Sequence, residues 1–289
     1  MKNKTISKKG PIYKVNRFYL ISLIWAIMVQ FLPIKDCLYQ YIALLIPIII
    51  YLILNRKNLK RILKLNPLNK KSFVIIFIIW IFMLPFSIFI ITIYNSLFGD
   101  TLANMVIEET ANSFIGVFFF TALTPAIIEE IFMRGIVLDG YRHKNIIIAS
   151  IINGLMFGML HLNTFQFFHT FFAGIVSSLL VYSTNSIYSS VFIHFVNNGF
   201  PLIMDLIIPA QNTPVQTTKE IDFLFFGIIV ILSLIIVVLL IHRLANINNM
   251  KLKYKKKVSK EKIFNKHLKL SMIIFLGFSL ILSFSLKQT

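Results

Sequence analysis

SFIGVFFFTALTPAIIEEIFMRGIVL, residues 113–138, holds only three ionisable side chains, Glu129, Glu130 and Arg134, in an otherwise apolar run. Its length matches the ~17–25 residues that carry a helix across the hydrocarbon of a bilayer. Carboxylates and guanidinium groups at that depth cost about 2.5–3.5 kcal/mol each by insertion scales, so they are rarely there without a task. The same stretch thus assigns the fold to the membrane and marks where function is to be sought.

The rest of the chain repeats the pattern. Hydrophobic residues make up 57% and charged residues 14% of the 289, against roughly a quarter charged in soluble domains. Apolar runs recur near Phe18–Leu32, Leu38–Leu54, Phe73–Phe98, Ser113–Leu138, Asn145–His161, Phe165–Tyr182, Ile187–Ile208, Phe223–Ile241 and Leu268–Leu286. The expected fold is all-α, a polytopic transmembrane helix bundle of about eight or nine spans. Lysines precede the first run, but no small-residue cleavage site follows Pro33, so an uncleaved first span is expected. No linker or internal repeat divides the chain, and residues 1–289 read as one integral membrane domain. The single cysteine, Cys37, excludes an intrachain disulfide and a cysteine-based zinc cluster.

Lys and Arg accumulate on the cytoplasmic side of membrane proteins. Here they gather in the N-terminal tail, in Arg56–Lys71, in Arg142–Lys144 and in a basic loop over 243–269, at every second turn of the expected bundle. Asp100, Glu108, Glu109, Glu220 and Asp222 fall in the other turns. The chain is therefore expected in the cell membrane, multi-pass, with a cytoplasmic N-terminus. Topology accounts for the net charge of +18, membrane lipids are the expected contacts of the lysines, and no nucleic-acid partner is expected. Within Lys57–Lys71, Leu59, Ile62, Leu63 and Leu65 suggest a short amphipathic helix in the interface.

The chemistry concentrates between Thr124 and Asn198. Glu130 and Arg134 are four residues apart on one helix face and can pair, while Glu129 points about 100° away, an unpaired carboxylate suited to act as a general base. Phe157 and His161 share a face of the next span, with Gly154 and Gly158 on an adjacent strip where another helix can approach closely. His194 and Asn198 are again four apart. At about 1.5 Å per residue, helix tilt can bring the three spans' polar groups to one height. Asn153, Gln30, Gln40, Gln166 and Asn197 read as helix-bridging groups, His169 as a satisfied core histidine, and His143, His242 and His267 as solvated or lipid-head contacts.

In order along the chain, Glu129-Glu130-Ile131-Phe132-Met133-Arg134, Phe157-Gly158-Met159-Leu160-His161 and His194-Phe195-Val196-Asn197-Asn198 resemble the E-E-x-x-x-R, F-x-x-x-H and H-x-x-x-N motifs of the CPBP (Abi, type II CAAX prenyl endopeptidase) family of intramembrane proteases. The resemblance covers a core at about 113–200; one departure is Met133 before the arginine, with Phe132 one position earlier. It implies peptide-bond hydrolysis at or within the bilayer, with Glu129 and His161 activating water and His194 and Asn198 donating to the oxyanion. Glu130 and Arg134 would support them. The family is commonly called metalloprotease, and Glu129, His161 and His194 would be the ligands of a divalent ion such as Zn2+ if this is a zinc enzyme. The metal-free scheme uses the same residues, and no H-E-x-x-H is present.

Two other classes of protein compete with this reading. A secondary transporter also places ionisable groups at the midplane, but shows paired broken helices in two related halves, which this chain lacks. A non-catalytic bacteriocin-immunity or scaffold protein would be expected to have lost a motif residue, and none is lost here. The eukaryotic branch of the family trims three residues after a prenylated cysteine, whereas bacterial relatives are linked to peptide maturation and bacteriocin self-immunity. The wealth of Lys, Ile and Asn hints at an AT-rich bacterial genome, and a lipidated or strongly apolar peptide is the expected substrate.

Overall fold

The computed structural model describes residues 10–99, 101, 114–207, 223–252 and 259–285, without the side chains of 36 and 283–285. Lys2, Lys4, Lys8 and Lys9 of the tail, Ser113, and the acidic residues Asp100, Glu108, Glu109, Glu220 and Asp222 lie outside them.

Every apolar run is a helix. In order they are α1 (Pro11–Gln30) and α2 (Cys37–Leu54), the short α3 (Leu59–Leu63), then α4 (Lys70–Phe98), α5 (Phe114–Gly140) and α6 (Ile146–Leu160). They continue with α7 (Thr164–Thr184), α8 (Tyr188–Ile207), α9 (Phe223–Ile247) and α10 (Lys266–Ser285). Among the described residues there is no strand, and seven helices are long and apolar enough to cross a membrane, with α6 a shorter apolar helix. The chain is a multi-pass, all-α membrane protein.

Boundaries differ from the sequence expectation where polar residues find distant partners. α1 begins at Pro11 rather than near Phe18, with Pro11 in the first turn, where its missing N–H is not needed. Asn16, fully buried, donates to the Ile263 carbonyl and accepts from the Tyr141 hydroxyl. The carboxylate of Glu261 meanwhile accepts from the Ile12 and Tyr13 amides at the helix start. The amphipathic helix expected over Lys57–Lys71 is only α3 long: Lys64 adopts φ +48° and ends it, and Pro67 disfavours helix at the residue before it.

Two hydrophobic cores hold the bundle. One gathers Tyr19, Phe132, Met133, Tyr141, Met156 and Phe157 from α1, α5, the turn after α5 and α6; the other gathers Ile76, Trp80, Leu180, Ile193 and Val237 from α4, α7, α8 and α9. α6 and α7 form the most extensive pair. Gly154 and Gly158 allow it, because a Cβ on Gly158 would lie 2.8 Å from the Phe167 ring and one on Gly174 only 2.7 Å from Gly154 Cα. Asn153 bridges three helices as the sequence suggests, donating to the Met133 carbonyl of α5 at 2.8 Å and accepting from Ser178 of α7 at 2.9 Å. Among the described residues Gln40 makes no such bridge, and its buried Oε1 has no hydrogen-bond partner there.

One end of the bundle collects the basic turns. Asn66 donates to the Asn185 carbonyl, Lys64 accepts from the Ile187 amide, Asn69 meets Asn248, and Lys144 donates to the Ser259 carbonyl. The turns 55–69, 141–145 and 185–187 and the segments 248–252 and 259–265 are therefore on the same side as the start of α1.

Candidate functional site

The site is built where α5, α6 and α8 meet, and the backbone of α5 is unusual there. Two π-helical stretches, Phe118–Leu123 and Ile131–Val137, flank the α-helical Thr124–Glu130. Such widened turns recur at functional sites because they free backbone groups and rotate side chains relative to a regular helix. Pro125 contributes: it has no N–H for the carbonyl four residues earlier, that of Thr121. The Thr121 carbonyl accepts from Asn198 Nδ2 of α8 at 3.2 Å.

Glu130 is the hub of the polar cluster. Its Oε1 accepts from Arg134 Nη1 at 2.8 Å and from His194 Nδ1 at 2.9 Å, with the side chains of Glu130 and Arg134 fully buried and that of His194 11% exposed. The pairing expected from spacing is thus present, and it reaches a third residue that spacing did not supply. The Arg134 guanidinium also stacks on the Phe157 ring, 4.3 Å from its centroid, a geometry that stabilises a desolvated cation. Phe157 in turn meets His161 and His194 edge to face, with centroids 5.1 and 5.9 Å away. One ring from α6 therefore holds the arginine of α5, the histidine closing its own helix and the histidine of α8.

The hydrogen bonds fix the tautomers. His161 Nδ1 lies 3.0 Å from the Phe157 carbonyl; a carbonyl only accepts, so Nδ1 carries the proton and Nε2 keeps its lone pair. His169 and His242 also turn Nδ1 to the carbonyl four residues earlier, as satisfied helix histidines do. His194 differs, because its Nδ1 proton goes to a carboxylate. When both ring nitrogens carry protons, Nε2–H is a second donor.

Glu129 is 9% exposed, makes no hydrogen bond among the described residues, and interacts electrostatically with His194 and with the Glu130–Arg134 pair. Asn198 holds Thr121 with one amide hydrogen and accepts from Asn197 at 3.4 Å, leaving its second N–H uncommitted. Phe132 and Met133, where the sequence departs from the motif, are both fully buried in the first core.

The conditional zinc set Glu129, His161 and His194 is not gathered. Among the described residues no three histidine, cysteine, aspartate or glutamate side chains come together as metal ligands. The Phe157 ring lies against both imidazoles, and each turns its Nδ1 to an oxygen, His161 to the Phe157 carbonyl and His194 to Glu130.

Phe157 as the shared wall and the Thr121 carbonyl as the anchor of Asn198 were not assigned from sequence as site elements. Pro125, four residues after Thr121, was the signal for the second; the first needed the relative placement of three helices.

Comparison with known proteins places this region. Residues 111–200 match the family model of the Rce1-like type II CAAX prenyl endopeptidases. The membrane-embedded CAAX protease MroQ of Staphylococcus aureus (strain USA300) is 28% identical over 118 residues, 38% of this chain. The match spans 47% of that relative, about half its length. No solved structure matches the chain.

Proposed function

We propose that this chain, whose segment 111–200 belongs to the type II CAAX prenyl endopeptidase (CPBP) family of membrane proteins, is an endopeptidase that hydrolyses a peptide bond of a lipidated or hydrophobic substrate within the membrane. The observation that carries the reading is the convergence of Glu130, Arg134, His161 and His194 around Phe157, deep between three apolar helices.

In this mechanism Glu129, unpaired beside the cluster, and His161, with Nε2 free to accept, take the proton of the attacking water. Such general bases contribute about 10²–10⁴-fold in rate. As the tetrahedral oxyanion forms, His194, held by Glu130, donates from Nε2, and Asn198 donates the N–H that it does not give to Thr121; preorganised donors of this kind are worth about 3–4 kcal/mol each. The His161 imidazolium then returns a proton to the leaving amine. Arg134 holds Glu130 in place, and Glu130 in turn orients His194. The start of α1 and the basic turns that share its end are assigned to the cytoplasmic side, following the excess of Lys and Arg there.

The test uses purified protein in liposomes. Wild type and Glu129→Gln are incubated with a membrane-peptide library, with and without a chelator, and new termini are read by mass spectrometry. Cleavages made by wild type and reduced at least about 100-fold in the variant are expected, and chelator sensitivity decides whether a metal takes part. Equal products from two folded proteins would overturn the assignment in favour of a non-catalytic immunity or scaffold role.

A further inference from the structure

A second polar site lies at the basic end of the bundle, apart from the cluster around Phe157. The turn between α2 and α4 and the turn between α7 and α8 border an open cavity of about 460 Å³, lined by Lys57, Lys60, Arg61, Lys64, Asn66 and Asn185 among others. Four of these are cations, and none is an acid. The nearest carboxylate in the network, Asp139 at the end of α5, is already engaged by Arg61 at 3.0 Å and Arg142 at 3.3 Å. Lys57, Lys60 and Lys64 have no ion-pair partner among the described residues.

The cavity is held open by structure rather than by chance side-chain positions. Lys64 sits at φ +48°, an uncommon backbone conformation for a residue with a Cβ. It is kept there from the side of α8, where the Ile187 amide donates to its carbonyl at 3.1 Å. Asn66 is clamped twice, by its own donation to the Asn185 carbonyl and by acceptance from the Ser186 hydroxyl. Arg61 is fixed by Asp139 on one side and Asn58 on the other. Burial pushes the Lys64 ammonium below its ordinary pKa, with Asp139 only partly offsetting it; a desolvated cation in this state gains from an anion. Two leucines close to these cations in sequence are exposed, Leu65 at 56% and Leu54 at 78%.

We propose that this cavity binds a phosphate-class oxyanion, with Lys57, Lys60 and Lys64 around its oxygens and Arg61 as the fixed fourth cation. Several donors converging on one small space suit phosphate, whose oxygens accept multiple charge-assisted hydrogen bonds. The exposed leucines favour an anionic phospholipid as the source, its headgroup in the cavity and its chains along α2, as in basic pockets between helices at cytoplasmic faces. A phosphorylated solute would present the same group without the chains.

The experiment compares full-length wild type with Lys57→Gln/Lys60→Gln/Lys64→Gln and with Lys262→Gln/Lys266→Gln/Lys269→Gln. The second variant removes the same charge from exposed positions on the same end of the bundle. Each protein, checked for folding by circular dichroism, is equilibrated with mixed phosphatidylglycerol and phosphatidylcholine, and the lipid retained is measured by native mass spectrometry. A parallel arm titrates inorganic phosphate calorimetrically in phosphatidylcholine alone. Wild type and the control variant are expected to retain phosphatidylglycerol over phosphatidylcholine by at least about fivefold, and the cavity variant to lose that preference. Phosphate binding in the second arm, lost in the cavity variant, would identify a solute as the occupant. An equal loss in both variants, or no preference and no phosphate binding in wild type, would overturn the site, and neither result bears on proteolysis.

Discussion

Two carboxylate–guanidinium clusters sit on α5 two and a half turns apart, and they differ in almost everything but their chemistry. Glu130 and Arg134 are fully buried between helices, and Glu130 also holds His194. Asp139 is buried, but its partners reach in from outside, with Arg61 46% and Arg142 31% exposed. The first cluster is sealed from solvent, so its groups depend on one another; among the described residues Glu130 Oε2 and Arg134 Nε and Nη2 have no hydrogen-bond partner. In the second, each cation keeps hydration if the bond breaks. The difference teaches that one ion-pair type positions a chemical group at depth and merely docks a turn at the rim.

Glu130→Ala is the harshest test of that comparison. It strands Arg134 and releases His194, and an uncompensated buried charge costs about 3–5 kcal/mol. A large fall in the midpoint of detergent-solubilised unfolding, followed by circular dichroism, is expected. Glu130→Met/Arg134→Met should recover most of that stability, because the stranded charge is gone, yet should remain without peptidase activity. If single and double variants are equally unstable, the pair is not acting as a desolvated unit and the contrast with the rim collapses.

Asn153→Ala separates burial from charge. Asn153 is as buried as Glu130 but neutral, and its loss leaves the Met133 carbonyl and the Ser178 hydroxyl with one partner fewer. A cost of about 1–3 kcal/mol is expected, between the two ion clusters, measured by the same unfolding midpoint. A cost equal to that of Glu130→Ala would mean that depth alone sets the scale.

What could be read from sequence follows the same division between local and distant causes. The apolar runs are local signals, and each became a helix, because a backbone in lipid must satisfy its own hydrogen bonds. The i,i+4 pairing of Glu130 with Arg134 is local too. The apolar run near Phe18 understates α1, because Asn16 is buried in the helix only through Ile263 and Tyr141, which lie far along the chain. The reach of Glu130 to His194, sixty-four residues on, likewise needed the packing of α5 against α8. The amphipathic stretch after α2 failed locally, at Lys64 and Pro67, where the backbone outweighed a favourable apolar spacing.

The smallest effect is expected at the rim, and it is the most discriminating because salt can tune it. Arg61→Gln removes one partner of Asp139 but leaves Arg142 in place, so the carboxylate is not stranded. Half-exposed pairs of this kind contribute about 0–1 kcal/mol. The unfolding midpoint should therefore fall slightly at low ionic strength. At 1 M salt, where the Debye length is about 3 Å, the difference from wild type should shrink further. Arg134, sealed from solvent, should show no such salt dependence when its partner is removed. A salt-insensitive loss of several kcal/mol in Arg61→Gln would mean that the rim cluster is as desolvated as the deep one, and that α5 carries two structural ion pairs of equal standing rather than one device for chemistry and one for docking.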